Sequence, residues 1–186
     1  MKKIIILSFL FLFLFGYSKT DDRSTNKITV IATIFPIYDF AKDIGGEKAK
    51  VFLLTPPGSE PHDYEPTASD LININNADIF VYTGNFMEVW VSEMLQGVTN
   101  DKLDVVDTSN GTKIVEDDPH IWLDFEHTKI MAKNIADAMI KKDPSNKNYY
   151  ETNLRNLFEK IDKIDTEYFT TLSTCKTKNI VFGRHY

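Results

Sequence analysis

The fold of this chain is decided by the segment Ile28-Thr29-Val30-Ile31-Ala32-Thr33-Ile34. It is a nearly continuous run of β-branched residues, without the polar alternation of a half-exposed strand. Such a run predicts a strand buried on both faces, as in parallel sheets that are covered by helices. We therefore expect an α/β fold that begins at this strand.

The residues that follow alternate between helical and strand patterns. The predicted helices cover residues 35–44, 67–76 and 87–95, and the predicted further strands cover residues 51–54, 79–82 and 103–106. Gly45-Gly46 ends the first helix, and Thr67 can cap the second. This β-α-β-α order predicts a parallel four-stranded sheet with flanking helices, and ligands bind beyond the carboxyl ends of strands in such sheets.

The residues after the fourth predicted strand predict a loop and two further helices, of which the second is long. Residues 107–118 form a loop, residues 120–123 are predicted to be extended, and Asp124 can cap a helix that runs to about Lys142. Asp143-Pro144 interrupts that helix. The next helix, residues 144–174 including its first turn, has an apolar face along its whole length, so both halves require a packing partner.

The predicted domains follow from these elements. Residues 27–143 form an N-terminal α/β metal-binding lobe, and residues 144–174 form a long connecting helix. Residues 175–186 contain one further strand, at 180–182, which is only half of a βα unit. We expect a second α/β lobe to begin there, and the sequence to be truncated at its C-terminus.

The composition limits the possible functions. Of the 186 residues, 42% are hydrophobic, which is enough for a packed core. The formal net charge is −6 and no block of Lys and Arg occurs, so nucleic acid is excluded as a partner. Cys175 is the one cysteine, which excludes an internal disulfide and a multi-cysteine zinc site.

The N-terminus has the pattern of an export signal. Lys2 and Lys3 precede an apolar run over residues 4–15, which is shorter than the roughly 20 residues that cross a bilayer. We assign residues 1–18 to a signal peptide and residues 19–26 to a tether. A membrane anchor is the alternative. The segment also resembles a bacterial lipoprotein signal in which Tyr17 replaces the lipidated Cys, so lipid anchoring is doubtful.

Three histidines lie in constrained polar segments. His62 stands between Pro61 and Pro66, which fix their own φ and restrict the residues before them. His120 follows Asp118-Pro119, and His185 follows Gly183-Arg184. We interpret the three histidines as ligands that converge on one metal ion. His127, on the first turn of a helix and outside any motif, is interpreted as a solvated surface residue.

Several of these segments together resemble the extracytoplasmic solute-binding receptors of zinc and manganese ABC importers. The matching stretches are residues 34–38 (IFPIY), 58–66 (GSEPHDYEP), 77–82 (ADIFVY), 87–90 (MEVW), 118–124 (DPHIWLD) and 181–186 (VFGRHY). They occur in the order of the family and span about 150 residues. The resemblance is therefore far more specific than any single motif.

The resemblance implies two α/β lobes joined by a long helix, with a metal ion in the cleft between them. It places metal ligands at His62, His120 and His185, and a carboxylate ligand in a second lobe beyond Tyr186. A histidine at the third position is typical of the zinc branch, whereas manganese-preferring members usually have a carboxylate there. The chain departs from the family at Phe125, where Pro is usual, and in its short histidine-free loop over residues 107–118.

The functional prediction is capture of Zn²⁺ outside the cytoplasm and delivery to an ABC-type membrane permease, without catalysis. Export would place the protein in the periplasm or on the outer face of the cytoplasmic membrane, as a monomer. Imidazole suits zinc, and three imidazoles leave one position for an oxygen ligand. Carboxylates that could orient the imidazoles are Glu60, Asp63, Glu65, Asp118 and Asp124. For Asp63 and Asp124 we favour a solvated or helix-capping role.

Four alternatives remain open. The chain could be a receptor for Mn²⁺ or another divalent metal, a metal-binding surface adhesin, or a non-functional truncated fragment. A zinc hydrolase is a distant fourth, because the sequence has no H-E-x-x-H motif and no clear general base.

Overall fold

The computed structural model describes residues 27–113, 118–177 and 179. Four strands form one parallel sheet in the order β2-β1-β3-β4: β1 (Ile28–Ala32), β2 (Ala49–Leu53), β3 (Ile79–Tyr82) and β4 (Asp104–Asp107). Five α-helices accompany the sheet: α1 (Phe35–Gly45), α2 (Ala68–Asn75), α3 (Val91–Met94), α4 (Phe125–Lys142) and α5 (Lys147–Ser173). The predicted α/β class and parallel four-stranded sheet are confirmed.

The two faces of the sheet carry separate hydrophobic cores. Val30 and Ala32 of β1 contribute to the larger core, with side chains from α1, α4 and α5. Ile31, which points to the opposite face because side chains alternate along a strand, contributes to the smaller core with α2 and α3. Strand β1 is therefore covered on both faces, as its β-branched sequence predicted.

Two local predictions were wrong. Residues 87–90 are not helical, and only Val91–Met94 and the 3-10 turn Leu95–Gly97 are. The carboxylate of Glu88 accepts hydrogen bonds from the backbone of Thr83 and Gly84, which holds this segment in turns against the strand end. Residues 121–123 are a 3-10 turn rather than extended, because the Leu123 N–H donates to the His120 carbonyl (3.0 Å).

Helix α5 is confirmed as a long helix with an unevenly covered apolar face. Its first half packs on α1 and α4, with Tyr150, Leu157 and Ile161 buried. Beyond Ile161 the described side chains of α5 are exposed. No described helix has the length and hydrophobicity needed to cross a membrane. The predicted strand over residues 180–182 and the predicted signal and tether lie outside the described residues.

Candidate metal centre

The His62 loop starts at the carboxyl end of β2 and is attached at both ends. At its start, the Thr55 N–H donates to the Thr33 carbonyl (3.0 Å), which continues the β1–β2 pairing. At its end, the Tyr64 hydroxyl donates to Asp70 of α2 (2.9 Å). Burial and this carboxylate raise the pKa of Tyr64 to about 12. The loop therefore projects from the carboxyl end of the sheet, and hydrogen bonds fix both of its ends.

The imidazole of His62 lies on a single 3-10 turn, Pro61–Asp63. The Glu60 side chain accepts a hydrogen bond from the backbone N–H of His62 at 3.4 Å, which caps this turn. His62 itself is exposed, so its ring can be reached from solvent. Asp63 and Glu65, which were named as candidates for orienting the imidazoles, are also exposed.

His120 is held more firmly than His62. The Asp118 carboxylate accepts a hydrogen bond from the His120 backbone N–H (2.9 Å) and lies 2.7 Å from ring Nδ1. These bonds lower the pKa of the Asp118 carboxyl. The rings of Trp122 and His120 pack in a T-shaped arrangement, with centroids 5.3 Å apart. A carboxylate on Nδ1 directs Nε2 toward a metal ion, which is the arrangement expected of an orienting residue.

The two imidazoles meet although 58 residues separate them in sequence. Their Nε2 atoms lie 3.3 Å apart, and the rings are nearly perpendicular at 79°. Two nitrogens that each bind one zinc ion at about 2.0–2.1 Å in tetrahedral geometry are separated by about 3.3 Å. The pair therefore has the spacing of two ligands on one ion.

The other histidines differ from this pair. His185, the third predicted ligand, lies outside the described residues and remains a prediction. Within the described ranges, no group of three or more His, Cys, Asp or Glu residues could hold a metal ion. His127 is half-buried rather than solvated, and its Nε2 accepts the Lys113 backbone N–H at 3.3 Å. His120 and His127 both line a cavity of about 310 Å³.

Asp124 has the structural role that was favoured for it. Its side chain accepts the backbone N–H of His127 at 2.9 Å and caps α4. A carboxylate in this position satisfies one of the unpaired donors at the start of a helix. We therefore place Asp118, and not Asp124, beside the imidazole pair.

Sequence reasoning missed the role of Glu88. This residue is 1% exposed and lies where β3 ends. Burial raises the pKa of its carboxyl, while hydrogen bonds from Thr33, Thr83 and Gly84 oppose the shift. The available signal was a single acidic residue in the otherwise apolar stretch Met87-Glu88-Val89-Trp90.

Comparison with known proteins identifies the family. The family model of the zinc-uptake complex component A, ZnuA, periplasmic, matches residues 30–185. The chain belongs to the ZnuA family. ZnuA-family proteins are solute-binding receptors for zinc or manganese and not enzymes, so the hydrolase alternative has no support.

Individual relatives include receptors named for either metal. The chain is 33% identical to the high-affinity zinc uptake system protein ZnuA of Bacillus subtilis, over 96% of this chain and 63% of that protein. It is 35% identical to the manganese ABC transporter substrate-binding lipoprotein PsaA of Streptococcus anginosus, over 88% of this chain and 58% of the relative. The chain thus spans about three-fifths of the length of these relatives.

Solved structures of the family have the same fold. The metal-dependent lipoprotein YcdH of Bacillus subtilis superimposes with a TM-score of 0.78 at 38% identity, covering 81% of this chain and 57% of that one. The Zn(II)-bound ZnuA-like domain of Streptococcus pneumoniae AdcA superimposes with a TM-score of 0.77 at 32% identity, covering 82% and 58%. Solved members of the family therefore share the fold of about four-fifths of this chain.

Proposed function

We propose that this chain binds Zn²⁺ outside the cytoplasm through His62, His120 and His185, as the metal-capturing part of a receptor that delivers the ion to an ABC-type permease. The observation that carries the proposal is the 3.3 Å separation of the His62 and His120 Nε2 atoms. That spacing suits two nitrogen ligands on one tetrahedral ion. The protein makes and breaks no bond in this role.

Zinc is preferred over manganese because of the ligand atoms. Imidazole nitrogen suits zinc, whereas Mn²⁺ favours carboxylate, carbonyl and water oxygens. The carboxylate beside the pair, Asp118, lies against His120 Nδ1 and orients the ring instead of facing the ion. Manganese remains the alternative cargo, since relatives named for manganese are as similar as those named for zinc.

The test is calorimetric titration of the purified chain with Zn²⁺ and, separately, with Mn²⁺. We expect one zinc site that weakens by more than about tenfold in each of the variants His62→Ala, His120→Ala and His185→Ala. His127→Ala is the matched control, because His127 lines the same cavity as His120 yet is assigned no ligand role. Equal weakening by His127→Ala would contradict the assigned ligand set.

A repeat of the titration at pH 5 tests histidine ligation independently. Protons compete with the ion for the imidazole nitrogens, so zinc affinity falls as the pH is lowered from neutral. An affinity that is unchanged at pH 5 would contradict the proposal. The absence of any zinc site in the parent chain would instead favour the non-functional alternative.

A further inference from the structure

Glu88 ties together two strand ends at the edge of the sheet that carries the imidazole pair. Its carboxylate accepts a hydrogen bond from the Thr33 hydroxyl (2.5 Å), directly beyond the end of β1. It also accepts the backbone N–H groups of Thr83 (3.1 Å) and Gly84 (3.2 Å), directly beyond the end of β3. One buried side chain therefore sets how these two neighbouring strands end.

Thr33, one of the residues bound by Glu88, is hydrogen-bonded to the start of the His62 loop. The Thr33 carbonyl accepts the Thr55 N–H at 3.0 Å, and Thr55 is the residue at which the His62 loop leaves the sheet. Pro56 and Pro57 follow, and their fixed φ angles limit how far the loop can compensate for a shift at its root. A displacement of Thr33 would therefore be transmitted to His62.

The connection from Glu88 toward His120 is through the larger hydrophobic core. Met87, the residue before Glu88, is 4% exposed and belongs to the same hydrophobic core as Ile121, which directly follows His120. Packed interiors transmit strain because they contain few voids. The turn that contains Glu88 thus shares one packed core with the residue next to His120.

A carboxylate suits this position better than an amide or an apolar side chain. The groups around Glu88 are three hydrogen-bond donors, namely one hydroxyl and two backbone N–H groups. Glutamine has the same shape, but its NH₂ group cannot accept a backbone N–H. The two backbone donors would then share one amide oxygen and the Thr33 hydroxyl would have to accept instead of donate, so the hydrogen bonds at both strand ends would rearrange. An apolar side chain would leave all three unsatisfied.

We propose that Glu88 is a positioning residue of the metal centre, which sets the spacing of His62 and His120 through the ends of β1 and β3. The proposal deepens the proposed function and rests on it, since it concerns the same pair of imidazoles. Glu88 does not itself contact the ion, because its carboxylate is buried and engaged by the strand ends.

The first measurement uses the metal-free chain, with ¹H–¹⁵N spectra of the histidine rings. We expect Glu88→Gln to shift the ring signals of His62 and His120 and to leave those of His127 unchanged. The matched control is Asp143→Asn, because Asp143 also accepts hydrogen bonds from several groups, including Tyr150 (2.9 Å) and Asn146 (2.6 Å). It follows the C-terminal end of α4, a helix of 18 residues that is about 27 Å long, whereas His120 precedes the N-terminal end of that helix.

The second measurement is zinc titration of the same variants. Glu88→Gln is expected to weaken zinc binding by about tenfold or more, as removal of an outer support of a metal site does, while Asp143→Asn has little effect. If Glu88→Gln does not fold, Thr33→Val replaces it, since this variant removes the donor and preserves the side-chain shape.

The outcomes separate this proposal from the proposed function. Ring signals and zinc affinity that respond alike to Glu88→Gln and Asp143→Asn would overturn the positioning role, even in a chain that binds zinc. A parent chain that binds no zinc would overturn the proposed function. The ring signals of the metal-free variants would then decide the positioning role by themselves.

Discussion

At the scale of single residues, the best-defined interaction in the candidate centre is that between Asp118 and His120. The carboxylate contacts both the backbone N–H and ring Nδ1 of His120, so one side chain controls the backbone and the ring together. The backbone N–H of His62 donates to Glu60 over a longer distance, 3.4 Å. We infer that His120 is the preorganised member of the pair and that His62 adjusts to it.

Substitution of Asp118 tests this difference. We expect Asp118→Asn to weaken zinc binding by about 10- to 100-fold, because the amide is a poorer acceptor for Nδ1–H and lowers the basicity of the ligand. Calorimetric titration measures the effect. Asp63→Asn is the control, since it makes the same carboxylate-to-amide change beside His62, at a residue for which a solvated role was favoured. An Asp118→Asn variant that binds zinc like the parent chain would contradict the orienting role.

At the scale of elements, the His62 loop depends on the start of α2. Thr67 and Asp70 form a capping box, in which the Thr67 side chain accepts the Asp70 N–H and the Asp70 side chain accepts the Thr67 N–H. Asp70 also receives the Tyr64 hydroxyl from the loop. The N-terminus of one short helix therefore anchors the segment that carries His62.

Removal of the cap should cost stability. We expect Thr67→Ala to lower the free energy of unfolding by about 1 kcal/mol, because an orphan N–H at the helix start loses its acceptor. Urea denaturation of the metal-free chain measures this change. Ser69→Ala is the control on the same helical turn: Ser69 is exposed, and its loss should change stability by less than about 0.5 kcal/mol. Equal effects of the two substitutions would contradict the capping role.

At the scale of the whole molecule, helix α5 extends beyond the lobe. Its 27 residues span about 40 Å, and the ring of Tyr168 packs near Phe125, the first residue of α4. The final turns of α5, after Tyr168, therefore continue past the start of α4. Large apolar side chains on this part are exposed: Ile164 by 43%, Tyr168 by 59%, Phe169 by 76% and Leu172 by 50%. A contiguous exposed apolar face promotes association.

This exposed face should limit the solubility of the purified chain. We expect Phe169→Ser to reduce concentration-dependent aggregation, measured by light scattering, without lowering the melting temperature, because Phe169 contributes little to the core. The contrasting variant is Leu157→Ala on the buried half of α5, which should destabilise the chain by about 2–5 kcal/mol. A parent chain that is a monodisperse monomer at high concentration would contradict the aggregation prediction.

The sequence by itself determined the elements and the residues of interest. The β-branched run of β1, the strand Ile79–Tyr82 and the Asp124-capped helix α4 were all predicted, because strand burial and helix capping depend on neighbouring residues. The constrained settings of His62 and His120 were also visible, since the effect of proline on φ is local. Residues 121–123 were misread because their turn packs against the core through Ile121.

Only the tertiary structure decided the spatial relations on which function depends. The strand order β2-β1-β3-β4 brings the His62 loop and the turn after β3 to one edge, and the packing of α4 brings His120 to the same place. The 3.3 Å Nε2 separation and the burial of Glu88 arise from contacts between residues distant in sequence. Such contacts depend on chain topology and close packing, and no local pattern encodes them.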